Sequence, residues 1–114
     1  MRWLSVVFCI GAASVVSAAP ADQFQTKCSY MNFVTNDYFD GRCTVTASSD
    51  RQGNYTEEFQ AGNRRIRIVL SNRQGQWGQI TFNGKPGMQF EENRYTYHYS
   101  PSDLSEMLDS TLRH

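Results

Sequence analysis

The stretch YTEEFQAGNRRIRIVL, residues 55–70, decides the fold that this sequence predicts. Gly62-Asn63 has the composition of a two-residue hairpin turn, and apolar and polar residues alternate on both sides of it. A turn at this point pairs Phe59 with Ile66 on the face that points to the core. It also forms two pairs on the opposite face, Glu58 with Arg67 and Thr56 with Val69. Because opposite charges across a strand pair are stabilising, turn chemistry and charge pattern agree on one antiparallel hairpin.

Strand-like alternation continues on both sides of this hairpin. Before it, two stretches alternate β-branched or aromatic residues with polar ones, Phe24 to Tyr30 and Arg42 to Ala47. After it, QWGQITF and GMQFEENRYTYHY have the same character, and turns are predicted at residues 71–75 and at Asn83-Gly84. The sequence therefore predicts an all-β domain, a small antiparallel meander of about seven strands curled into a barrel or half-open sandwich.

The last residues change from a strand-like to a helix-like pattern. Ser100 is a suitable N-cap, Pro101 suits the first helical position, and Asp103 has the spacing of a capping box. Four apolar residues then recur at helical spacing: Leu104, Met107, Leu108 and Leu112. This pattern predicts a short C-terminal helix over residues 101–112 that closes one end of the sheet.

The first 21 residues have the order of a secretory signal peptide, with Arg2 followed by an apolar run and then by small residues. Ala19-Pro20-Ala21 is the predicted cleavage site, and cleavage after Ala18 is the alternative. The apolar run is too short for a membrane-spanning helix. We therefore expect residues 1–21 to be removed and residues 22–114 to form a single exported β-domain. Its expected location is periplasmic or secreted, most naturally in a bacterial envelope.

The cysteines predict one disulfide. Cys9 belongs to the predicted signal peptide, so Cys28 and Cys43 are the pair left in the mature chain. An oxidising compartment lets a disulfide form between them and stabilise a small core. The local geometry has two solutions. Either residues 31–40 form a compact loop while the cysteines bridge neighbouring strands, which we prefer, or Asp40-Gly41 closes a short hairpin inside the ring.

Charge and composition argue against several classes of function. The 114 residues include 11 basic and 11 acidic ones, so the chain has no net charge that would attract nucleic acid or an anionic membrane. The stretch NDYFDG resembles part of a calcium loop, but Tyr38 occupies the middle ligand position. We expect no cofactor, no metal, no nucleic-acid partner and no membrane insertion, and we expect a monomer.

No motif in the sequence matches a known catalytic arrangement. The two histidines are His98 and the C-terminal His114, and neither has zinc-ligand spacing. Two carboxylate pairs, Glu57-Glu58 and Glu91-Glu92, are adjacent in sequence, so in a strand the members of each pair point to opposite faces. We therefore predict that the protein is not an enzyme. A small hydrolase that uses His98 is the less favoured alternative.

A binding surface is predicted on the outer face of the sheet. If Ile80 and Phe82 face the core, then Trp77 faces outward, opposite Val69 and diagonal to Arg67. Tryptophan and arginine are common anchors of interfaces and also form cation–π pairs. The predicted binding residues share this face or border it: Arg65, Arg67, Val69, Arg73 and Trp77.

The length of the turn after Phe82 leaves the side of Phe90 open. A three-residue loop puts Met88 and Phe90 inside, whereas a two-residue loop puts Phe90 outside, next to Trp77. The tyrosine stripe that follows is expected to take the same side as Phe90: Tyr95, Tyr97 and Tyr99.

Together these features predict a small exported, non-enzymatic binding or inhibitory module that contacts a protein or an envelope glycan through an outer sheet face. The alternative is a structural or envelope-assembly component that docks a partner by a sheet edge. In size, predicted compartment and sheet content the chain is similar to bacterial periplasmic inhibitors of c-type lysozyme, whose inhibitory loops carry a Ser-Gly-x-x-Tyr motif. Gly53-Asn54-Tyr55 and Ser71-Asn72-Arg73 do not match that motif, so no family is assigned.

Overall fold

The computed structural model describes residues 22–112, and the predicted signal peptide lies outside them. Eight antiparallel strands form a closed barrel in which each strand pairs with its neighbours in sequence and the last pairs with the first. The strands are β1 (Asp22–Asn32), β2 (Tyr38–Ser49), β3 (Tyr55–Ala61), β4 (Arg64–Gln74), β5 (Trp77–Phe82), β6 (Lys85–Asn93), β7 (Thr96–Pro101) and β8 (Glu106–Thr111). The predicted all-β antiparallel meander is confirmed, as a closed barrel with one strand more than expected.

The β3–β4 hairpin has the register that the sequence predicts. Phe59 lies opposite Ile66 on the inner face. The two predicted outer pairs are also present, Glu58 with Arg67 and Thr56 with Val69. Gly62 in the turn has a φ of 65°, which glycine adopts without steric cost. Local turn chemistry and alternation are therefore sufficient to set inside and outside for this part of the barrel.

The disulfide joins the first two strands. Cys28 and Cys43 are bonded, and both side chains are buried. Cys28 lies opposite Gly41, so the bridge runs diagonally across the β1–β2 hairpin. The preferred geometry is correct in that the cysteines bridge neighbouring strands, but the loop is shorter than residues 31–40 because β2 already begins at Tyr38. The disulfide is compatible with an oxidising, exported location.

Strand β4 is longer than the sequence predicts. It continues to Gln74, so the hairpin turns at Gly75 and Gln76, and the prediction of a turn over residues 71–75 is wrong. Gly75 has a φ of 60°, in the left-handed region that favours glycine. A β-bulge between Leu70 and Asn72 accommodates an extra residue and bends the strand along the barrel wall.

This longer strand changes the register of β5. Trp77 lies opposite Gln74, so the predicted pairing of Trp77 with Val69 is wrong. Ile80 and Phe82 nevertheless point inward and Trp77 points outward, as predicted. The faces are preserved because the inside and outside of a strand depend on its alternation, whichever partner residue lies opposite.

The β5–β6 turn has two residues, which decides between the alternatives for Phe90. Asn83 and Gly84 both have positive φ values, 48° and 84°, as a type I′ turn requires. Phe90 consequently lies outside, opposite Trp77. The tyrosine stripe does not follow Phe90, because His98 lies opposite Phe90 while Tyr99 lies opposite Gln89 and faces inward.

The predicted C-terminal helix over residues 101–112 is wrong. Pro101 ends β7, a turn follows, and β8 then pairs with β7 on one side and with β1 on the other. In this position β8 satisfies the backbone groups along the edges of two strands, which a helix would leave open. Tertiary pairing therefore overrides the helical spacing of the leucines. The described residues contain no helix of the length and apolarity needed to cross a membrane.

One end of the barrel is plugged and the other is open. Apolar side chains fill the middle: Val45, Phe59, Ile66, Ile68, Ile80, Phe82 and Leu108. At the end where β3 turns into β4, the Tyr30 hydroxyl donates a hydrogen bond to Glu106 Oε1 at 2.7 Å, and Lys85 Nζ lies 3.3 Å from Glu106 Oε2. We call this the closed end. The opposite end, which carries the β2–β3, β4–β5 and β6–β7 turns, is the open end.

Candidate functional site

The residues predicted to form one binding face are distributed along the length of the barrel. Arg65 and Arg67 are exposed near the closed end, where Arg65 Nε donates to Gln60 Oε1 at 3.3 Å. Trp77 pairs with Gln74, seven residues along β4 from Arg67, which is roughly 23 Å at about 3.3 Å per residue. The structure therefore does not bring the two arginines and Trp77 together, and half-buried Val69 lies on the stretch between them.

Arg73 lies at the same end of the barrel as Trp77, but on the inner face, where it lines the cavity at the open end, so its predicted place on the outer face is wrong. It pairs across the β4–β5 ladder with Gly78, the residue after Trp77. Its guanidinium forms an ion pair with Glu91, and its Nε donates to the carbonyl of Gly75 at 3.0 Å. The charge of Arg73 is thus compensated within the protein.

Trp77 stands on the outer surface at the open end and is 54% exposed. Its ring contacts Phe90, with centroids 4.6 Å apart, and Phe90 in turn stacks on His98 at 6.3 Å. A shallow groove of about 250 Å³ runs beside the indole, and we call it the Trp77 groove. Its lining consists of Asn72, Gln74, Trp77, Gly78, Gln79 and Met88.

Three amide side chains border the Trp77 groove: Asn72, Gln74 and Gln79. All three are exposed, and none makes a side-chain hydrogen bond within residues 22–112. Each amide offers both a carbonyl acceptor and an NH₂ donor. Strand pairing fixes the backbone beneath them, because Asn72 lies opposite Gln79 and Gln74 opposite Trp77. The groove therefore combines one large aromatic ring with free donors and acceptors on a rigid support.

His98 has orienting partners that the sequence did not identify. On the outer surface its Nδ1 lies 2.6 Å from Asp109 Oδ1 and its Nε2 lies 2.7 Å from Glu92 Oε1. The hydrogen bond to Asp109, helped by the one to Glu92, raises the pKa of His98, so the charged imidazolium is favoured. Because both ring nitrogens are engaged, neither is available in this arrangement to take a proton from a substrate.

A cavity of about 370 Å³ lies inside the open end of the barrel, and we call it the mouth cavity. Six of its fourteen lining residues are aromatic: Phe24, Tyr55, Phe59, Tyr95, Tyr97 and Tyr99. The carboxylate of Glu57 projects into this wall, where it accepts hydrogen bonds from Tyr99 at 3.1 Å and from Tyr55 at 3.2 Å. Burial raises the pKa of Glu57, and the two tyrosine hydroxyls act in the opposite direction.

Gln89 also lines the mouth cavity and is only 6% exposed. Its side chain makes no hydrogen bond with any residue in the described part of the chain. At the rim above it, the Arg73–Glu91 ion pair crosses from β4 to β6, and the Tyr97 hydroxyl donates to Glu91 Oε2 at 3.4 Å. The lining of the cavity therefore combines aromatic rings with the polar side chains of Glu57 and Gln89 and, at the rim, with the cationic Arg73 and Arg94.

Sequence reasoning missed Glu57 and Gln89, although the sequence contains a signal for each. Glu57 lies two residues from Phe59, so the alternation that places Phe59 inside also places Glu57 inside. Gln89 lies between Met88 and Phe90, both of which face outward once the turn has two residues. Treating every charged or amide side chain as solvent-exposed concealed both positions.

The site carries no arrangement that suggests a metal, since residues 22–112 contain no group of three or more histidine, cysteine, aspartate or glutamate side chains able to hold an ion. Comparisons of the chain with protein-family models, with curated proteins and with solved structures find no match. The Trp77 groove and the mouth cavity are therefore the two features of the described residues from which a function can be inferred.

Proposed function

We propose that this protein is a non-enzymatic binding module that acts outside the cytoplasm and contacts an oligosaccharide through the Trp77 groove. The observation that carries the proposal is the half-exposed Trp77 surrounded by three amides without partners in the described chain. A flat indole ring packs against the apolar face of a sugar ring. Amides that donate and accept match the hydroxyl groups around its edge.

The charge of the groove supports a sugar as the partner. None of the six residues that line it is charged, and neighbouring Arg73 is compensated by Glu91. Uncharged oligosaccharides present hydroxyl groups and apolar ring faces, which this lining matches. The strands hold Asn72, Gln79 and Trp77 in place before binding, so little conformational entropy is lost on contact.

Two alternatives have less support from the geometry. Each of the eight strands has a hydrogen-bonded neighbour on both sides, so docking by a sheet edge lacks a free strand among the described residues. A hydrolase that uses His98 would need a free ring nitrogen, and Asp109 and Glu92 engage both.

Oligosaccharide arrays, followed by titration of the best ligand, test the proposal. Trp77→Ala should weaken binding at least about tenfold, as expected for a tryptophan at the centre of an interface. Its free energy of unfolding should fall by no more than about 1 kcal/mol, the value of the lost contact with Phe90. The matched control is Tyr38→Ala, because Tyr38 is also 54% exposed but lies at the closed end.

The outcomes distinguish the proposal from its competitors. Equal binding by the Trp77 and Tyr38 variants, or no oligosaccharide bound at about 1 mM, would refute it. If the protein instead binds a protein ligand, and Trp77→Ala abolishes that binding, the Trp77 groove would remain the binding surface but its partner would be a protein and not an oligosaccharide. Arg67→Ala should leave binding unchanged. If Arg67→Ala weakened binding as much as Trp77→Ala, both residues would belong to one binding surface, as the sequence predicted.

A further inference from the structure

We propose that the mouth cavity is a second, separate binding site, and that it takes a small organic ammonium ion held by the Glu57 carboxylate, the Gln89 amide and the surrounding tyrosine rings. The proposal does not depend on the Trp77 groove, which lies on the outside of the barrel wall, whereas the mouth cavity lies inside it.

The first observation is a carboxylate without a cation. Glu57 lies inside the barrel, yet no lysine or arginine of residues 22–112 forms an ion pair with it. Tyr99 and Tyr55 each donate one hydrogen bond to it, one to each oxygen. Each oxygen of a carboxylate accepts two, so half of the acceptor capacity of Glu57, which lines the cavity, is unused within the described residues. A cationic ligand would supply the missing charge.

The second observation is independent of the first. The amide of Gln89 is more than nine-tenths buried, lines the same cavity and has no hydrogen-bond partner in the described chain. Buried amides without partners are costly, and native proteins keep few of them. A ligand that carries a hydroxyl or amine near its charged group would satisfy Gln89.

The third observation is the wall itself. Tyr97 and Tyr99 lie nearly parallel with centroids 6.4 Å apart, and Phe59 meets Tyr99 edge-on at 5.4 Å. A cation is attracted to the face of an aromatic ring, and cages of several such rings recognise ammonium groups. An anionic ligand would be repelled by Glu57, and a purely apolar one would leave both polar groups without partners.

Access and size fit a single small molecule. The volume of about 370 Å³ lies near the lower end of ligand sites. Entry is from the open end, where Arg73 is neutralised by Glu91 and Arg94 lies over the ring of Tyr95 at 5.9 Å. An ammonium ligand that also carries an anionic group would place that group near Arg94.

Calorimetric titration of the purified, disulfide-bonded protein with choline chloride tests the site. The control ligand is the neutral isostere of choline in which a tert-butyl group replaces trimethylammonium. Choline should bind at least about tenfold more tightly than the isostere, because the two differ in charge and hardly in shape. Equal affinities, or no binding of choline at about 10 mM, would overturn the proposal.

Two neighbouring glutamates provide a matched pair of variants. Glu57→Gln, inside, should weaken choline binding at least about tenfold, whereas Glu58→Gln, outside and opposite Arg67, should leave it unchanged. Gln89→Met should weaken binding about threefold by removing the amide without opening a hole. Identical affinities of the Glu57 and Glu58 variants would refute the role of the carboxylate. If Glu57→Gln fails to fold, the comparison of choline with its neutral isostere on the unchanged protein still tests whether the mouth cavity selects a positive charge.

The same ammonium chemistry occurs in free molecules and in lipid headgroups. Vesicles of phosphatidylcholine that displace choline from the protein would identify a headgroup as the source, and vesicles that do not would identify a free molecule. Both outcomes support the ammonium site, provided that choline itself binds.

Discussion

Removal of the disulfide tests how the barrel is stabilised. Cys28 and Cys43 are separated by 15 positions and join strands β1 and β2. In the chain-entropy model, closing a loop of this length raises the free energy of the unfolded state by about 3 kcal/mol. Both side chains are almost completely buried, so replacement by alanine avoids leaving a hydroxyl without a partner. We expect Cys28→Ala/Cys43→Ala to lower the free energy of unfolding by about 3 kcal/mol.

Urea unfolding followed by far-ultraviolet circular dichroism measures this difference, with the midpoint and slope fitted separately. Reduced wild-type protein is the control, because it loses the covalent ring while keeping both sulfur atoms in the core. A loss below about 1 kcal/mol in both proteins would refute the reasoning. It would mean that the β1–β2 hairpin persists in the unfolded chain. The disulfide would then add little restriction, because strand pairing would already limit the conformations of the unfolded state.

Two further predictions concern the faces of the barrel and the charge of His98. Phe59→Ala should lower the free energy of unfolding by about 3–5 kcal/mol, because it leaves a cavity beside Tyr99. Phe90→Ala, on the outside of the barrel, should lower it by about 1 kcal/mol. Equal losses for the two variants in urea unfolding would contradict the assigned faces. The raised pKa of His98 means that its stabilisation is complete below the unfolded pKa and is lost as pH rises through the folded one. His98→Gln should therefore destabilise the protein at about pH 5.5 more than at about pH 8.5, by less than about 1 kcal/mol because the imidazole is a third exposed. A loss independent of pH would speak against the charged pairing with Asp109.

The parts of the fold that depend on neighbouring residues could be predicted from the sequence. The β3–β4 register follows from a two-residue turn and the alternation around it, and the disulfide follows from there being one pair of cysteines in the predicted mature chain. The end of β4 could not be predicted, because the bulge between Leu70 and Asn72 depends on the curvature of the closed barrel. Strand β8 was missed for a similar reason, since its pairing with β1 is not a local property of its residues.

The candidate site was predictable only in part. Alternation placed Trp77 outside correctly, but the residues around it depend on the β4–β5 register, which the bulge changes. The mouth cavity could not be predicted without knowing that the barrel closes. Glu57 faces inward, and whether it meets packed core or an open cavity depends on how far the neighbouring strands extend. The burial of Gln89 likewise depends on closure of the barrel, and glutamine as a residue type gives no indication that it is buried.

Closure of the ring also determines when the chain can finish folding. Thr26 and Ser110, 84 positions apart, hydrogen-bond at 3.0 Å across the β1–β8 seam. A nascent chain forms its local hairpins early, but β1 waits for β8, which is synthesised long after it, and contacts so distant in sequence form slowly. The barrel therefore closes only after β8 has been synthesised and has left the ribosome. Such a delay keeps the polypeptide in a form that can still be threaded through a translocation pore, as a secretory leader of the kind predicted at residues 1–21 would require.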